Sequence, residues 1–469
     1  MKKLARTISG VTPVAVMSQP MGCPGQCVYC PTYSATPQSY TPESPAVLRA
    51  RECGYDAKKQ VALRLKALSE MGHPTDKIEL IVMGGTFLAQ AVDYQYQFIK
   101  DCFDALNGRA SATLEEAQRV NETASHRCTG LCLETRPDWC RSEEIARMLS
   151  FGATRVELGV QTLDEDIYRL VRRGHGVAEV VQATARLKEH GFKVHYHWMP
   201  GLPGATPELD LALSKVLFSD PRFKPDGLKL YPTMVVAGTE LEKWCRDGRY
   251  QPYPDEVMIN LVTEIKSLVP KYVRISRVLR DIPAKFITGG LKDSLRDVVK
   301  QRMKEQGVTC RCIRCREYGH RARDNWEIAE PRLVRLDYEA SGGREIFLSF
   351  EDKNETLFGL LRLRIQPQPL ANGNSALIRE LHIYGPEVSF HQRDPNSAQH
   401  KGLGRALLKE AERIAAGEFG ALQIAVLSGI GAKDYYRSGF GYTAQGDYMV
   451  KRLKPQETSR EQPAARIEV

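Results

Sequence analysis

Three cysteines near the start of the sequence constrain this chain more than any other feature. Cys23, Cys27 and Cys30 form a C-x3-C-x2-C run. Ferredoxin clusters take four cysteine ligands, so three thiolates would leave one iron of a 4Fe-4S cluster free to bind another molecule. A zinc loop or buried structural cysteines are the alternatives, but zinc normally needs a fourth ligand close by and the next cysteine is Cys53. We therefore expect an iron-sulfur cluster at this loop.

The size and cysteine content indicate where such a chain can work. A length of 469 residues is enough for two or three domains, each with its own core. Twelve cysteines, in a sequence without a recognisable secretory leader, favour metal ligation in a reducing compartment over disulfides. No run approaches the roughly 18 apolar residues that a membrane helix needs. We expect a cytoplasmic protein with no membrane contact.

The positive charge is concentrated in one segment. The net charge is +9, and residues 271–323 hold fifteen Lys or Arg against five Asp or Glu, a local net charge of +10. A solvated charged face is the ordinary explanation for such a surplus. Its concentration, with Tyr272 and Tyr318 interleaved, favours a surface for a phosphate backbone.

Apolar runs alternate with helical stretches from Val11 to about Pro270, a pattern typical of parallel βα units. The spacing of Val61, Leu65 and Leu68 predicts a helix over residues 56–71. One strand is expected before the cysteine loop, and the others at 77–83, 130–134, 155–160, 193–197 and 227–230. About six such units predict an open, partial barrel with its chemistry at the carboxyl ends of the strands.

Polar and glycine-rich motifs follow these strands. Gly84, Gly85 and Thr86 end the second strand, where glycine lets the backbone approach a ligand closely. Glu134 and Gln161 stand at the ends of the next two strands. Each motif alone is weak, because glycine and proline after a strand are usually turn residues. In register on one rim they predict a ligand site.

A second group of cysteines lies inside the basic segment. Cys310, Cys312 and Cys315, with His320 five residues further on, provide three thiolates and an imidazole for a tetrahedral zinc ion. The alternative is a loop of free thiols, which would oxidise readily if it were exposed. We expect a structural zinc site, with His320 as a candidate fourth ligand. The surrounding arginines are expected to face a polyanion, namely Arg311, Arg314, Arg316, Arg321 and Arg323.

The sequence from about Trp326 predicts a second α/β region. Strands are expected at 345–350, 357–364, 376–384 and 423–427, and a helix at 406–416. The turn 399–405, with Gly402 and Gly404, precedes that helix and would present free backbone N–H groups to a diphosphate. The Asp434–Tyr442 stretch follows the last strand. Tyr435 and Tyr436 in it are either acids for a departing thiolate or core aromatics.

These motifs resemble known families. The cysteine spacing is similar to that of the radical SAM superfamily, whose glycine element holds S-adenosylmethionine, and the glycine turn resembles the coenzyme A site of GNAT acetyltransferases. Taken in order from about Pro20 to Leu453, the motifs resemble the catalytic subunits of Elongator in their stand-alone prokaryotic form. The resemblance implies a partial (βα)6 radical SAM barrel at 1–270 and a GNAT domain at 326–453. The cysteine spacing makes the intervening segment 271–325 a basic zinc-binding linker, and the polar composition of 454–469 predicts a disordered tail.

The resemblance implies carboxymethylation of C5 of the wobble uridine of tRNA, with acetyl-CoA as substrate. A SAM-derived radical would remove hydrogen from the acetyl methyl group, and the carbon radical would attack C5 before the thioester is hydrolysed. The basic segment 271–323 would bind the anticodon stem-loop. An electron-donor protein is also implied, and a homodimer is possible.

The resemblance also assigns roles to individual residues. Cys23, Cys27 and Cys30 would hold the cluster, while Gly84, Gly85, Thr86, Glu134 and Gln161 would bind S-adenosylmethionine. Acetyl-CoA would contact Lys77, Glu380, Leu381, His382, Ile383, Gly402, Leu403, Gly404, Arg405 and Tyr436. The expected catalytic residues are Tyr436, Tyr435, Glu380 and His382.

Two other functions remain open from the sequence. A protein lysine acetyltransferase would use the GNAT domain directly, with Glu380 as base and the barrel as a scaffold. A non-catalytic RNA-binding module would carry vestigial sites, which the intact cysteine loop and glycine turn disfavour.

Overall fold

The computed structural model describes residues 7–291, 295–367, 376–385 and 402–454. Within them the chain forms two seven-stranded sheets and one two-stranded ribbon. The expected tail at 455–469 and the first three residues of the glycine turn, 399–401, lie outside the described residues. No helix among the described residues has the length and apolar character that crossing a bilayer requires.

The N-terminal region contains nine strands and thirteen helices. The strands are β1 (Thr12–Met17), β2 (Lys77–Met83), β3 (Arg127–Thr135), β4 (Arg155–Gln161), β5 (Lys193–Trp198), β6 (Gly227–Leu230), β7 (Val235–Val236), β8 (Arg274–Val278) and β9 (Ile287–Gly289). The helices are α1 (Pro45–Glu52), α2 (Ala57–Glu70), α3 (Val92–Asn107), α4 (Leu114–Asn121), α5 (Ser142–Ser150), α6 (Glu165–Leu170), α7 (Val177–Glu189), α8 (Pro207–Ser219), α9 (Glu240–Arg246), α10 (Asp255–Ser267), α11 (Leu295–Glu305), α12 (Ile313–Arg316) and α13 (Tyr318–Arg323).

The large N-terminal sheet is entirely parallel, in the order β1-β2-β3-β4-β5-β6-β8. Its strands are rich in buried Val, Ile and Leu because helices cover one face and the strands curl around the other. The predicted first helix is confirmed as α2, which is capped by the Asp56 side chain and buries Val61, Leu65 and Leu68. The parallel βα architecture predicted from the sequence is confirmed.

The parallel sheet has seven strands, whereas about six were predicted. β8 pairs with β6 at residues that were expected to open the linker. Ile275 and Val278 are buried, whereas Arg274, Ser276 and Arg277 line the barrel interior. This alternation is that of a strand, and the high charge of the segment concealed it. The start of the basic segment is therefore part of the barrel wall.

The C-terminal region adds seven strands and two helices. They are β10 (Arg332–Ala340), β11 (Gly343–Glu351), β12 (Leu357–Ile365), β13 (Ala376–Ile383), α14 (Leu403–Gly417), β14 (Gln423–Val426), α15 (Lys433–Phe440), β15 (Thr443–Gln445) and β16 (Tyr448–Arg452). The sheet order is β10-β11-β12-β13-β14-β16-β15, with β13 and β14 parallel and the other pairs antiparallel. Helix α14 buries Leu407, Ala411 and Ile414 against this sheet, as predicted.

The two regions share a core at the amino ends of the barrel strands. Phe347, Leu360, Leu377 and Ile430 of the C-terminal region pack in the same apolar cluster as the barrel residues. A buried ion-pair network, which includes Arg379 and Asp226, joins them across this contact. We call this contact the seam.

Candidate active site

A cavity of about 460 Å³ runs through the interior of the barrel. At the carboxyl ends of the strands its wall contains Cys23, Cys27 and Cys30. At the amino ends, beside the seam, it is lined by Ser9 and Arg274. The cavity therefore connects the cysteine loop with the side of the barrel that the C-terminal sheet covers.

The cysteine loop is held by polar contacts from two barrel loops. The Cys23 Sγ lies 3.5 Å from the Thr86 hydroxyl, and Arg173 donates a hydrogen bond of 3.4 Å to the Cys27 Sγ. Burial raises the pKa of the Cys30 thiol to about 11, and the neighbouring Cys27 adds to this shift. A bound metal would keep the Cys30 sulfur deprotonated, since only thiolates are metal ligands.

The spacing of these sulfurs separates a cluster from a single ion. Zinc–sulfur bonds of about 2.3 Å in a tetrahedron place thiolates roughly 3.8 Å apart. Three side chains can share one ion only if their ligand atoms lie close together. Among the described residues, the sulfurs of Cys23, Cys27 and Cys30 do not all lie within 4.8 Å of one another. Their wider arrangement around one cavity fits a multi-iron cluster.

The rim beside the cysteines fits a polar ligand. Gly84 and Gly85 have φ values of +132° and +81°, and a Cβ on Gly85 would lie 3.4 Å from the Gln38 carbonyl oxygen. Gln161 also has a positive φ of 75°, a strain typical of functional positions. The Gln161 Oε1 and the Arg136 Nη1 are buried without a hydrogen-bond partner in the described residues. These atoms can accept from and donate to S-adenosylmethionine.

A network of charged side chains lies deeper in the cavity. The Lys229 Nζ lies 3.0 Å from Glu134 and also contacts Glu157, and the His197 Nε2 lies 3.2 Å from the Glu157 Oε2. Tyr40 donates to the other oxygen of Glu134 at 2.9 Å. Glu134, Glu157 and His197 are close enough to hold a metal ion, but the Lys229 ammonium already supplies the positive charge between the carboxylates.

The pKa values in this network follow from these ion pairs. Burial alone would raise the pKa of Glu157, but Lys229, His197 and Arg155 hold it well below its ordinary value. Burial would likewise lower the pKa of Lys229, but Glu157 and Glu134 raise it well above the usual range. Both groups are therefore charged at neutral pH.

The second cysteine group lies in the seam. The sulfurs of Cys310, Cys312 and Cys315 lie within 4.8 Å of one another, the spacing that a single metal ion requires. Burial would raise the pKa of Cys312, but hydrogen bonds from the other two thiols lower it well below the usual value. The donor set fits the expected zinc ion.

His320 does not join this group, which corrects the expectation of a fourth ligand. Its Nε2 lies 2.9 Å from the Glu317 carboxylate, which also pairs with Arg274 at 2.7 Å. The expectation that nearby arginines face a polyanion is also wrong for Arg316 and Arg321. Both are buried, and they donate to backbone oxygens of the β11–β12 connection across the seam, Arg316 to Glu355 and Arg321 to Asn354.

The expected acetyl-CoA residues lie on the other side of the seam. β13 pairs with β14 only through Ala376, Leu377 and Ile378, so residues 379–383 diverge from β14. Glu380 lies in this divergent part, where it pairs with Arg362 at 2.7 Å and Lys193 at 3.5 Å. Burial alone would raise the pKa of Glu380, but Lys193 and Arg362 hold it far below its ordinary value.

His382 connects this strand to the barrel. Its Nε2 lies 2.7 Å from the Ser9 carbonyl oxygen, which can only accept, so Nε2 carries the proton. Burial lowers the pKa of His382 and keeps the ring neutral. Ser9 itself lines the cavity, so the strand with the expected acetyl-CoA residues adjoins its inner end. Lys77 begins β2 at the same end of the barrel, and Leu381 packs partly buried against the C-terminal core.

The glycine turn has the geometry of an anion site. Gly402 has a φ of +82° and precedes α14. No side chain of the described residues caps the first N–H groups of the helix, from Leu403 to Arg405. A Cβ on Gly404 would lie 2.9 Å from the Tyr435 hydroxyl and 3.7 Å from Ile383. Glycine at this position lets the Tyr435 hydroxyl of α15 lie against the turn.

The two tyrosines of α15 differ. Tyr435 is exposed, whereas Tyr436 is buried between Tyr435 and Tyr442. Burial raises the pKa of both tyrosines. Tyr436 is thus a core aromatic that also keeps its proton at neutral pH.

Several residues of the cavity were given no site role from the sequence, namely Lys229, His197, Glu157 and Tyr40. Glu157, His197 and Lys229 lie in three different strands whose other residues are mostly apolar. A charged residue within an apolar strand was the signal that would have located them.

Comparisons with known proteins agree with this geometry. Residues 18–213 match the model of the radical SAM superfamily, and residues 225–305 match that of the radical SAM C-terminal domain. A tRNA uridine(34) acetyltransferase of Dehalococcoides mccartyi is 64% identical over 459 residues, which cover 97% of this chain and 100% of that protein. Elongator complex protein 3 of Homo sapiens is 43% identical over 474 residues, covering 96% of this chain and 86% of the human protein.

A solved structure extends the likeness to the whole fold. The archaeal Methanocaldococcus infernus Elp3 with an N-terminal deletion is 46% identical, covers 95% of this chain and 100% of that chain, and has a TM-score of 0.84. The resemblance drawn from the motifs is confirmed, and both sheets belong to a known architecture. The chain belongs to the tRNA uridine(34) acetyltransferase family of radical SAM proteins, the family of the Elongator catalytic subunit Elp3.

Proposed function

We propose that this protein forms the carboxymethyl group on C5 of the wobble uridine of tRNA, with acetyl-CoA as the carbon donor. One observation carries the proposal: a single cavity runs from the three cysteines to Ser9, whose carbonyl oxygen accepts from His382 on the expected acetyl-CoA strand. The names of the relatives supply the substrate class, since they describe acetyltransferases of tRNA uridine 34.

The cofactors would sit at the carboxyl ends of the strands. When bound, the 4Fe-4S cluster and S-adenosylmethionine supply the one-electron chemistry that makes an acetyl methyl group reactive towards C5. Cys23, Cys27 and Cys30 would hold the cluster, and Arg173 would stabilise the Cys27 thiolate. Gln161 would bind the second cofactor together with Gly84, Gly85, Thr86 and Glu134. The curved barrel wall around the cavity would exclude water from the reacting carbon.

The thioester would lie at the seam. Leu403, Gly404 and Arg405 would donate backbone N–H groups to the pyrophosphate of coenzyme A. Lys77, Leu381, Ile383 and Gly402 complete the expected contacts. Because burial raises their pKa values, Tyr435 and Tyr436 keep their protons at neutral pH and can donate to a departing thiolate.

The tRNA would approach the mouth of the cavity. Arg277 and Arg280 line it, and the exposed Lys285 lies a few residues further along the same segment. Anticodon bases are already unstacked enough to enter such an opening. Positive side chains at the mouth would bind the flanking phosphates.

The ion pairs of Glu380 argue against the alternative function of a lysine acetyltransferase, in which Glu380 would be the general base. A general base should have a pKa near the working pH. Lys193 and Arg362 instead keep the Glu380 carboxylate ionised and engaged. We assign Glu380 and His382 to positioning of the thioester.

The deciding experiment combines the reconstituted protein with tRNA, acetyl-CoA, S-adenosylmethionine and dithionite under anaerobic conditions. Mass spectrometry of the nucleosides should show 5-carboxymethyluridine, and its formation should require all four components. A parallel assay should detect no acetylation of histone peptides. Peptide acetylation that needs neither tRNA nor S-adenosylmethionine would overturn the proposal.

The proposal includes three further expectations. A cytoplasmic electron-donor protein would reduce the cluster, and the hollow of about 370 Å³ on the outer side of the cysteine loop, lined by Gly22, Gln26 and Glu240, is its proposed approach. Whether the protein forms a homodimer is to be tested by light scattering. The domain limits at 270, 325 and 453 are to be tested by limited proteolysis.

A further inference from the structure

We propose that Glu157, Lys229 and His197 form the subsite that recognises the uracil ring and distinguishes it from cytosine. The inference rests on the proposed function and names the residues that select its substrate. The three side chains line the cavity between the cysteine loop and the seam, on the adjacent strands β4, β5 and β6. A base held there would lie between the two expected cofactor sites.

The hydrogen-bonding capacity of the network is only partly used. A carboxylate offers about four acceptor positions, and the contacts from His197 and Lys229 both fall on the Oε2 of Glu157. The Oε1 of Glu157 has Arg155 at 3.5 Å, beyond the usual length of a hydrogen bond. Lys229 has three donors and contacts two carboxylates. Within the described part of the chain, one acceptor oxygen and one N–H of the ammonium are therefore left for a ligand in the same network.

This pair complements the edge of uracil. The N3–H of uracil is a donor and its O4 is an acceptor, so N3–H can bond the Glu157 Oε1 while O4 accepts from Lys229. Cytosine in the same position presents an unprotonated N3, and two acceptors would then face each other. A sideways shift that restored pairing for cytosine would move its C5 away from the reacting methyl group.

The surroundings suit a flat ring. The rings of His197 and Tyr231 pack edge to face, with centroids 5.3 Å apart, and both line the cavity. Aromatic faces are the usual stacking platform for an extruded base. Arg277, also on the wall, lies near the mouth through which the base would enter.

The experiment measures binding and does not require a loaded enzyme. Synthetic anticodon stem-loops with uridine, cytidine or 3-methyluridine at position 34 are titrated into the protein, and the dissociation constants are read by fluorescence anisotropy. The wild type should prefer uridine over the other two by about tenfold, equivalent to about 1.4 kcal/mol. In Glu157→Gln the amide can donate or accept, so the preference should fall to within about twofold.

The matched control is Glu79→Gln, which alters another carboxylate of the same cavity, nearer the seam. It should keep the tenfold preference. Lys229→Gln is the second variant and should weaken uridine binding by about tenfold, which keeps the test decisive if Glu157→Gln does not fold.

Three outcomes would overturn the inference. In the first, Glu157→Gln folds and keeps the full preference. In the second, Lys229→Gln binds uridine as tightly as the wild type, and in the third Glu157→Gln loses S-adenosylmethionine in a separate titration. The last result would assign Glu157 to the cofactor. Failure of the proposed function looks different, because the wild type itself would then show no preference at position 34 and form no modified nucleoside.

Discussion

The cavity and the seam are built from similar residues and behave differently. Each contains three cysteines, several arginines and ionised carboxylates. In the cavity the cysteine sulfurs are widely spaced, and the Gln161 Oε1 and the Arg136 Nη1 lack partners in the described residues. In the seam the sulfurs are close together, and Arg379 makes hydrogen bonds to Asp226, Glu345 and the Phe192 carbonyl oxygen.

The difference separates function from stability. Polar groups left without partners in a folded protein cost free energy, and such a cost is kept where a ligand will later satisfy it. In the seam most charged groups pair with one another and fix the arrangement of the two regions, although the Arg362 Nη1 and the Arg364 Nε lack a hydrogen-bond partner in the described residues. We therefore expect substitutions in the cavity to reduce activity with little change in stability, and substitutions in the seam to do the reverse.

The largest effect is expected for Cys27→Ala in the cavity. Removing one of three cluster ligands should abolish iron binding and reduce nucleoside formation below detection. The midpoint of thermal unfolding of the iron-free protein should change by less than about 2 °C, corresponding to less than about 1 kcal/mol. Iron analysis and calorimetry check both parts. The comparison would be contradicted by a variant that keeps its iron, or by one whose midpoint of thermal unfolding falls by much more than this.

Cys312→Ala in the seam should have the opposite result. Loss of a buried metal ligand should lower the free energy of unfolding by about 3 kcal/mol or more, because structural zinc contributes directly to folding. A strong chelator should destabilise the wild type and leave the variant unaffected. Cys53 is a buried cysteine that belongs neither to the cavity nor to the seam, so Cys53→Ala is the control. It should lower the free energy of unfolding by about 1 kcal/mol. An equal loss in both variants would count against a metal in the seam.

Arg379→Met should cost about 3–5 kcal/mol at pH 7, because it leaves the buried carboxylates of Asp226 and Glu345 without their partner. Burial alone would raise the pKa of Asp226, but Arg379 and Lys188 hold it well below its ordinary value. This contribution is present above the unfolded pKa of about 3.9 and is lost as the pH falls through the lower folded value.

Urea denaturation at pH 7 and at about pH 4 therefore tests the sign of the effect. The loss in Arg379→Met should be smaller at the acidic pH, where the uncompensated carboxylates can take up protons. Adding Asp226→Asn to the variant should recover part of the loss at pH 7. A loss that is independent of pH would show that packing, and not charge, holds the seam.

The sequence predicted those parts of the fold that depend on local patterns. Apolar runs and their spacing predict six barrel strands, α2 and α14. These patterns depend only on residues close together in the sequence. β8 was missed because its alternating arginines resembled a charged surface. Arg316 and Arg321 were expected to face a polyanion, since nothing in the neighbouring residues shows that a second sheet covers them.

The candidate site was predictable only in part for the same reason. The cysteines, glycines and Glu134 stand next to strand ends, where a motif can be read directly. Lys229, Glu157 and His197 meet only because parallel strands bring distant residues together. The sequence also could not separate the two cysteine groups by role, since the distances between sulfurs are a property of the fold.

The smallest effect is expected at the rim of the cavity. The sequence alone favours reversing Arg274, Arg277 and Arg280 to weaken tRNA binding, but Arg274 pairs with the buried Glu317 and belongs to the seam. Reversing only Arg277 and Arg280 to Glu should weaken stem-loop binding several-fold and lower its dependence on salt. The affinity for acetyl-CoA should not change, because both arginines lie towards the carboxyl end of β8, whereas β13 adjoins the amino ends of the barrel strands.

A double reversal of Lys66 and Arg249, which are exposed and do not line the cavity, alters the net charge equally and should have little effect. Equal weakening by the two double variants would mean that overall charge, and not the rim, attracts the tRNA.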